Sequence, residues 1–309
     1  MIRLLSSEML RFRSRRMVKV LAVLAVAGIV LSSVLGTIAS KQPTDDQVAQ
    51  AQRRRDRGVT NCVRKDGFHD AFGPRPADQT VQAYCDENIQ VDDYLSSEQL
   101  RIAELADYVK AAGFIVIVIA LVIGASMVGA SWQTGTITTI LTWEPRRVRW
   151  LLARLVVTAV GVFVLSMVLL ALLAAALALG ASVRGSTATD PGWFSDLLGT
   201  MLRISAVATA VAVIGSAVAT IGRNTAAALG AVFVYLAVLE SLVRGFRPLL
   251  SRFMLGDSAA VLISGHSLDV NDGQASIVLT TGHAATVLGA YVAVLVAVAL
   301  VMLRARDVN

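Results

Sequence analysis

The stretch "GTITTILTWEPRRVRW", Gly135 to Trp150, stands between two long apolar runs and decides how the chain is read. It gathers four threonines, two tryptophans, Glu144, Pro145, Arg146, Arg147 and Arg149. Its surroundings are unusually apolar. Of 309 residues, 55% are hydrophobic and only 16% are charged, with a mean hydropathy of +0.65. Soluble domains are about 25% charged. Runs of 18 or more apolar residues recur, and each can cross a bilayer as a helix. The composition therefore indicates an integral membrane protein and excludes a soluble enzyme. The net charge of +6 fits basic residues facing anionic lipid. No soluble basic face is visible, so no nucleic-acid partner is expected.

Six spans are expected in an all-α integral membrane fold, at 17–39, 109–130, 150–182, 197–221, 226–243 and 284–303. Ahead of them, 1–16 reads as a basic amphipathic helix on the membrane surface, with Ile2, Leu5, Met9 and Phe12 on one face. A disordered basic start is the alternative. The first run could also be a signal peptide cleaved near Ala39, although its core exceeds the usual 7–15 residues, roughly. Residues 40–108 form the only sizeable polar region, a long loop holding Cys62 and Cys85. A bridge between them would persist in an oxidising compartment. Within it, Ser96 and Gln99 fit a capping box, and Leu95 and Leu100 a hydrophobic staple, predicting a helix that runs into the second span. The run at 150–182 exceeds what a bilayer about 30 Å thick requires, so that helix should tilt and protrude, or part of it should lie in the interface.

Thirteen lysines and arginines fall in the amino-terminal segment, 131–154, the turn 222–225 and the tail 304–309, against four in the short loops 183–196 and 244–283. The positive-inside rule then puts both termini and the opening stretch in the cytoplasm. It puts the cysteine region and the broken segment 244–283 outside, in a multi-pass protein of the bacterial cell (inner) membrane.

Residues 131–149 have a geometry of their own. Ile137, Ile140 and Leu141 give a short helix one apolar edge among threonines. Pro145 ends that helix by Trp143 and suits the first turn of the next one. Glu144 complements that next helix's dipole. Arg146, Arg147 and Arg149 are placed as anchors to lipid phosphates, with Trp143 and Trp150 at the interface. A plain interfacial loop is the simpler reading, but it leaves the apolar edge uncovered.

The segment "GASWQTGTITTILTWEPRRVRWLLARLVV", Gly129 to Val157, resembles the region between spans two and three of type-2 ABC exporter permeases, particularly actinobacterial ones. The resemblance in layout extends over most of the chain; in sequence it is confined to this segment. It implies a coupling helix docking into a separate ATPase, formed by Gly135, Thr136, Ile137, Thr139, Ile140 and Leu141, with Trp143 and Glu144 at its end. The family often has a carboxylate where this chain has Ser131. The resemblance also implies a second permease copy or paralogue, and ATP with Mg bound on the partner. This chain is expected to bind no cofactor and to be no enzyme. A P-loop requires Gly-x4-Gly-Lys, and none of the four lysines follows a glycine.

Other residues offer less. Ser267 beside His266 in "SGHSLD" lacks the geometry of a nucleophile and its base. His69, His266 and His283 are widely spaced for a metal site. "RPLLSRFMLG", Arg247 to Gly256, reads either as a short outer helix burying Leu249, Leu250, Phe253 and Met254, or as a loop on the bundle. Arg203 and Glu240, inside spans four and five, are candidates for the outer mouth of a translocation path; snorkelling to the headgroups is the alternative. A non-transporting immunity or sensor protein on the same scaffold is the second functional expectation.

Overall fold

A computed structural model describes residues 2–40, 44–64, 79–95, 100–136, 146–185, 187, 189, 191–271 and 276–305. The helices are α1 Ile2–Ser14, α2 Arg16–Ala39, α3 Asp45–Arg64, α4 Val81–Asn88, α5 Leu105–Gln133 and α6 Arg147–Arg184. They continue as α7 Trp193–Gly222, α8 Thr225–Phe246, α9 Leu255–Ser264 and α10 Thr281–Ala305. Six of them (α2, α5, α6, α7, α8 and α10) are long and apolar enough to cross a membrane. The chain is a multi-pass helical membrane protein. Its α6 is one unbroken helix of 38 residues, about 57 Å long at 1.5 Å per residue. The over-long apolar run is thus one continuous helix.

The chain divides into two compact units, one comprising residues 1–31, 104–176 and 190–309. In this unit α5 and α7 approach closely because small residues line their contact. A side chain at Gly124 would strike the Ala212 backbone, and one at Gly129 the backbone of Thr225. The Ser216 hydroxyl hydrogen-bonds the carbonyls of Gly124 (2.8 Å) and Ala212 (3.0 Å). One apolar cluster joins Ala125, Val128, Trp150, Leu151, Ala217, Ala228 and Leu303. It gathers the ends of α5, α7 and α10 with the starts of α6 and α8. The α7–α8 turn at this end is tight. Arg223 takes a left-handed φ of 53°, and the Asn224 side chain accepts the Ala226 N–H at 2.7 Å. Gln133 donates to Asn224 Oδ1 at 3.1 Å, and the Arg223 guanidinium lies over the Trp132 ring at 4.7 Å. We call this the Arg-rich end.

At the opposite end α8 reaches α10 through a 3-10 turn, Pro248–Phe253, then α9, then a hairpin of β1 (Leu268–Asn271) and β2 (Ser276–Leu279). The strands are antiparallel, pairing Leu268 with Leu279 and Asn271 with Ser276. Leu255, at the start of α9, packs with Val207, Val211 and Leu288. Val207 is at the middle of α7, so the connection dips into the bundle before returning. This bears on "RPLLSRFMLG", which packs on the bundle through only part of its length. Leu250 and Phe253 are 45% and 43% exposed, and the buried residues are Ser251 and Leu255. Polar anchoring of the dip, described below, sets that rotation.

The second unit comprises residues 32–103 and 177–189. Cys62 and Cys85 form a disulfide with their Cα atoms 6.0 Å apart. Both are buried with Val59, Tyr84 and Ile89. Each cysteine sits on a helix, α3 or α4, where a loop closed by the pair was expected. Arg55 straps the two together, donating to Ile89 O at 3.1 Å and pairing with Asp86 at 2.7 Å. The capping box at Ser96 and Gln99 lies outside the described residues, and α5 begins later than it predicted, at Leu105 after a 3-10 turn. The reason is tertiary: the buried Leu100 donates its N–H to Ser40 Oγ at 3.1 Å, and that hydroxyl donates to Arg184 O at 3.1 Å.

Candidate functional site

The Arg-rich end is built around the root of the segment 131–149. Gly135 adopts φ +66°, which a side chain would disfavour, and so terminates α5. Its neighbour Thr134 returns its N–H to Ala130 O at 3.1 Å, and the hydroxyls of Thr134 and Thr136 meet at 2.6 Å. Ile137, Thr139, Ile140, Leu141, Trp143 and Glu144 lie outside the described residues. Beyond them Arg146 is exposed, and Arg147 and Arg149 are half-buried on the first turn of α6. Trp150 departs from its expected place at the interface. It is fully buried, with the Arg154 guanidinium over its ring at 4.9 Å. Packing of α6 into the apolar cluster claims it.

The amino-terminal helix is docked on protein. Arg15 donates from Nη1 to Ser126 O (2.6 Å) and from Nη2 to Met127 O (3.0 Å) and Ser131 Oγ (3.4 Å). It thereby ties the α1–α2 junction to the end of α5. Burial pulls the Arg15 pKa below its ordinary value, against the opposing influence of Glu8. Glu8 itself is 2% exposed and pairs with Arg154, 1% exposed, at 3.5 Å. Arg11 reaches the other Glu8 oxygen at 3.5 Å. Phe12 is buried and occupies the space a side chain at Gly161 would need. The face carrying Leu5, Met9 and Phe12 is thus turned at least partly to the bundle and not simply to lipid. The sequence held a signal for this. Glu8 is the single carboxylate of α1, four residues before Phe12 and on its face.

Arg203 and Glu240 sit at the opposite end with separate partners. Arg203 Nη2 donates to Thr200 Oγ1 at 3.1 Å, and its guanidinium lies against Gly265. Gly265 has φ +75° and ends α9 by returning its N–H to Val261 O at 3.0 Å, a conformation and a contact that both exclude a side chain. Glu240 is 3% exposed, so it does not snorkel. Its oxygens accept the Gly256 N–H at 2.9 and 3.2 Å, on the first turn of α9. The Tyr235 and Tyr291 hydroxyls meet at 2.6 Å, and Tyr291 donates to Phe253 O at 3.2 Å. His283 Nε2 lies 3.1 Å from Arg252 O, and Arg244 pairs with Asp257 at 2.6 Å. One short run, Arg252–Asp257, is therefore held by five side chains from α8 and α10. Among the described residues no cluster of three potential metal ligands occurs.

The signature of a family described as "Protein of unknown function (DUF2705)" matches residues 76–309. The chain belongs to this family. The DUF2705 match takes in α4 to α10, and with them Arg154, Ser131, Arg203, Glu240 and the segment 131–149. It leaves out α1 to α3, and so Glu8, Arg15 and Cys62. Each of the first two DUF2705-external residues contacts a DUF2705 residue, Glu8 with Arg154 and Arg15 with Ser131. No curated protein matches the chain.

Proposed function

We propose that this DUF2705 chain is the membrane-spanning permease subunit of an ABC exporter, driven by a separately encoded cytoplasmic ATPase that binds ATP and Mg. The observation that carries the reading is the Arg-rich end. There α5 and α6, the spans flanking the coupling-like sequence, are both fastened to α1 through Arg15 and Arg154. A push on the segment between them would reach two spans and α1 together. In this reading the Arg-rich end faces the cytoplasm of a bacterial inner membrane, with both termini there, as the distribution of lysine and arginine requires. Gly135 ends the span, Thr136 to Leu141 dock on the ATPase, and Arg146, Arg147 and Arg149 grip lipid phosphates. The disulfide unit faces the oxidising side. Six spans form half a transporter, completed by a second copy or a paralogue. The cargo is amphipathic or lipid-like, and Arg203 and Glu240 border its outer exit.

The test is co-expression with candidate P-loop ATPases from the same genome, beginning with any encoded beside this gene. The pair should co-purify, and Ile140→Asp should abolish both co-purification and ATP-dependent transport. A variant that still assembles and transports at the wild-type rate would remove the docking assignment. A chain that never associates with an ATPase would remove the permease reading.

A further inference from the structure

Glu240 lies in a span, yet it reaches the interior through a local departure from α-helical geometry. Tyr235–Leu239 is a π-helical turn, and Glu240 follows it directly. The buried residues earlier in α8 are Ala228 and Val232. At about 100° per residue, an unbroken α-helix would carry Glu240 roughly 120° away from Ala228, off the buried stripe. One extra residue in a turn takes back about 100° and returns Glu240 to that stripe. A rare backbone feature therefore aims a carboxylate at one target, the amino-terminus of α9. That terminus has no capping side chain of its own, since its cap residue is Met254. An anion there satisfies an orphan N–H and complements the helix dipole. Gly256 is required for the approach, because a side chain there would displace Glu240 Oε2.

We propose that Glu240 is an ionisable latch that holds the inward-dipping segment 247–264 closed, and that uptake of one proton on its carboxylate releases it. The proton comes from water at the hydroxyl-rich end of the bundle and leaves by the same route. In the charged state both oxygens accept from Gly256. A protonated carboxyl keeps one acceptor oxygen but loses its charge, so its bond to the Gly256 N–H falls from charge-assisted to neutral and its pull on the α9 dipole is lost. The charged and titratable groups around the carboxylate are Arg244 and Tyr235 on its own helix, Asp257 on α9 and Tyr291 on α10. Arg244 is engaged by Asp257, so it is not the carboxylate's partner. The tyrosine pair and His283 hold the 3-10 side of the dip, which serves as the hinge. On the α9 side Glu240 and the exposed Arg244 pair are the polar ties, alongside the apolar packing of Leu255 and Val261.

The latch is tested on the purified full chain in nanodiscs, without an ATPase, so its outcome is independent of the transport reading. Ser258 on α9 is fully buried, and the two native cysteines are bridged. Ser258→Cys is therefore a reporter for a water-soluble maleimide, normalised to an exposed cysteine elsewhere to remove thiol ionisation. Acidification through the carboxylate range should raise normalised labelling at least tenfold. Glu240→Gln should label at that raised rate at neutral pH and lose the pH dependence. Gly256→Ala perturbs the opposite partner and moves only the end of a flexible side chain, so it should fold and also label quickly. Equal, pH-independent labelling in all three proteins overturns the proposal. So does a Gly256→Ala protein that behaves as wild type.

Discussion

The docking of α1 rests on the Glu8–Arg154 pair, and its energetics can be worked from the geometry. At 3.5 Å and an effective dielectric near 20, the attraction is about 5 kcal/mol. Desolvating the two ions costs several kcal/mol each, so the intact pair gains little over two apolar residues. Removing one partner is different, because the other charge stays buried. Glu8→Leu should weaken α1 docking by about 3–4 kcal/mol, and Arg154→Met by a similar amount. Trp150 still covers the guanidinium in the first variant, which keeps the loss toward the lower figure. The double variant should fall within about 1 kcal/mol of wild type, leaving a coupling energy of roughly 5–7 kcal/mol. Trypsin cleavage after Arg11 and Arg13, in nanodiscs and in the limit where opening is at equilibrium, reports the undocked population. Each single variant should be cut roughly 140- to 700-fold faster than wild type, at about 1.4 kcal/mol per decade, and the double variant within about fivefold of wild type. Additive single effects, with a coupling below about 0.5 kcal/mol, would refute the pairing.

Three further outcomes are expected. Cys62→Ser removes a bridge spanning 23 residues and should destabilise the second unit by about 3 kcal/mol, read as lost amide exchange protection in α3 and α4 while α5 to α7 stay protected. Gly265→Ala forces a side chain into φ +75° and against the Arg203 guanidinium; a loss of roughly 1–3 kcal/mol, seen as a lower thermal midpoint, is expected. Ser131→Asp sets a carboxylate where Arg15 now reaches a hydroxyl at 3.4 Å, and should slow tryptic release of α1 roughly threefold through a charge-assisted bond.

The spans were legible because bilayer thickness and hydropathy constrain length and composition together. The ends of the helices were less so. Ser96 looked like a cap by local chemistry, but Leu100 gives its N–H to Ser40, sixty residues away in sequence, and no local pattern encodes that. The amphipathic face of α1 was visible, whereas what covers it was not, since periodicity is the same for lipid and for protein. Glu8 was the discriminating residue, because a lone carboxylate on the apolar face asks for a buried cation. Trp150 misled for a related reason: tryptophan suits both an interface and a core. Glu240 was placed in its span correctly, but the π-turn that aims it inward is a one-residue change in helical phase, invisible in an all-apolar stretch such as Tyr235–Leu239.

The two ends of the bundle unit use buried charge for opposite purposes. At the Arg-rich end, Glu8, Arg15 and Arg154 bind one short helix to the spans on either side of 131–149, so that α1, α5 and α6 are tied together there. The α5–α7 contact adds to this, because Gly124 brings backbones together and Ser216 bonds across them. Packing of this kind is stiff, since sliding would expose Ser216 and collide its neighbours. The segment after α8 is held differently. It is fixed by single side chains on backbone groups, of which Glu240 is the one whose charge can be removed by a proton. A force applied at the Arg-rich end would therefore pass through tightly packed helices and find its give at the far end, where the proposed Glu240 latch adds to the apolar seating of Leu255 and Val261.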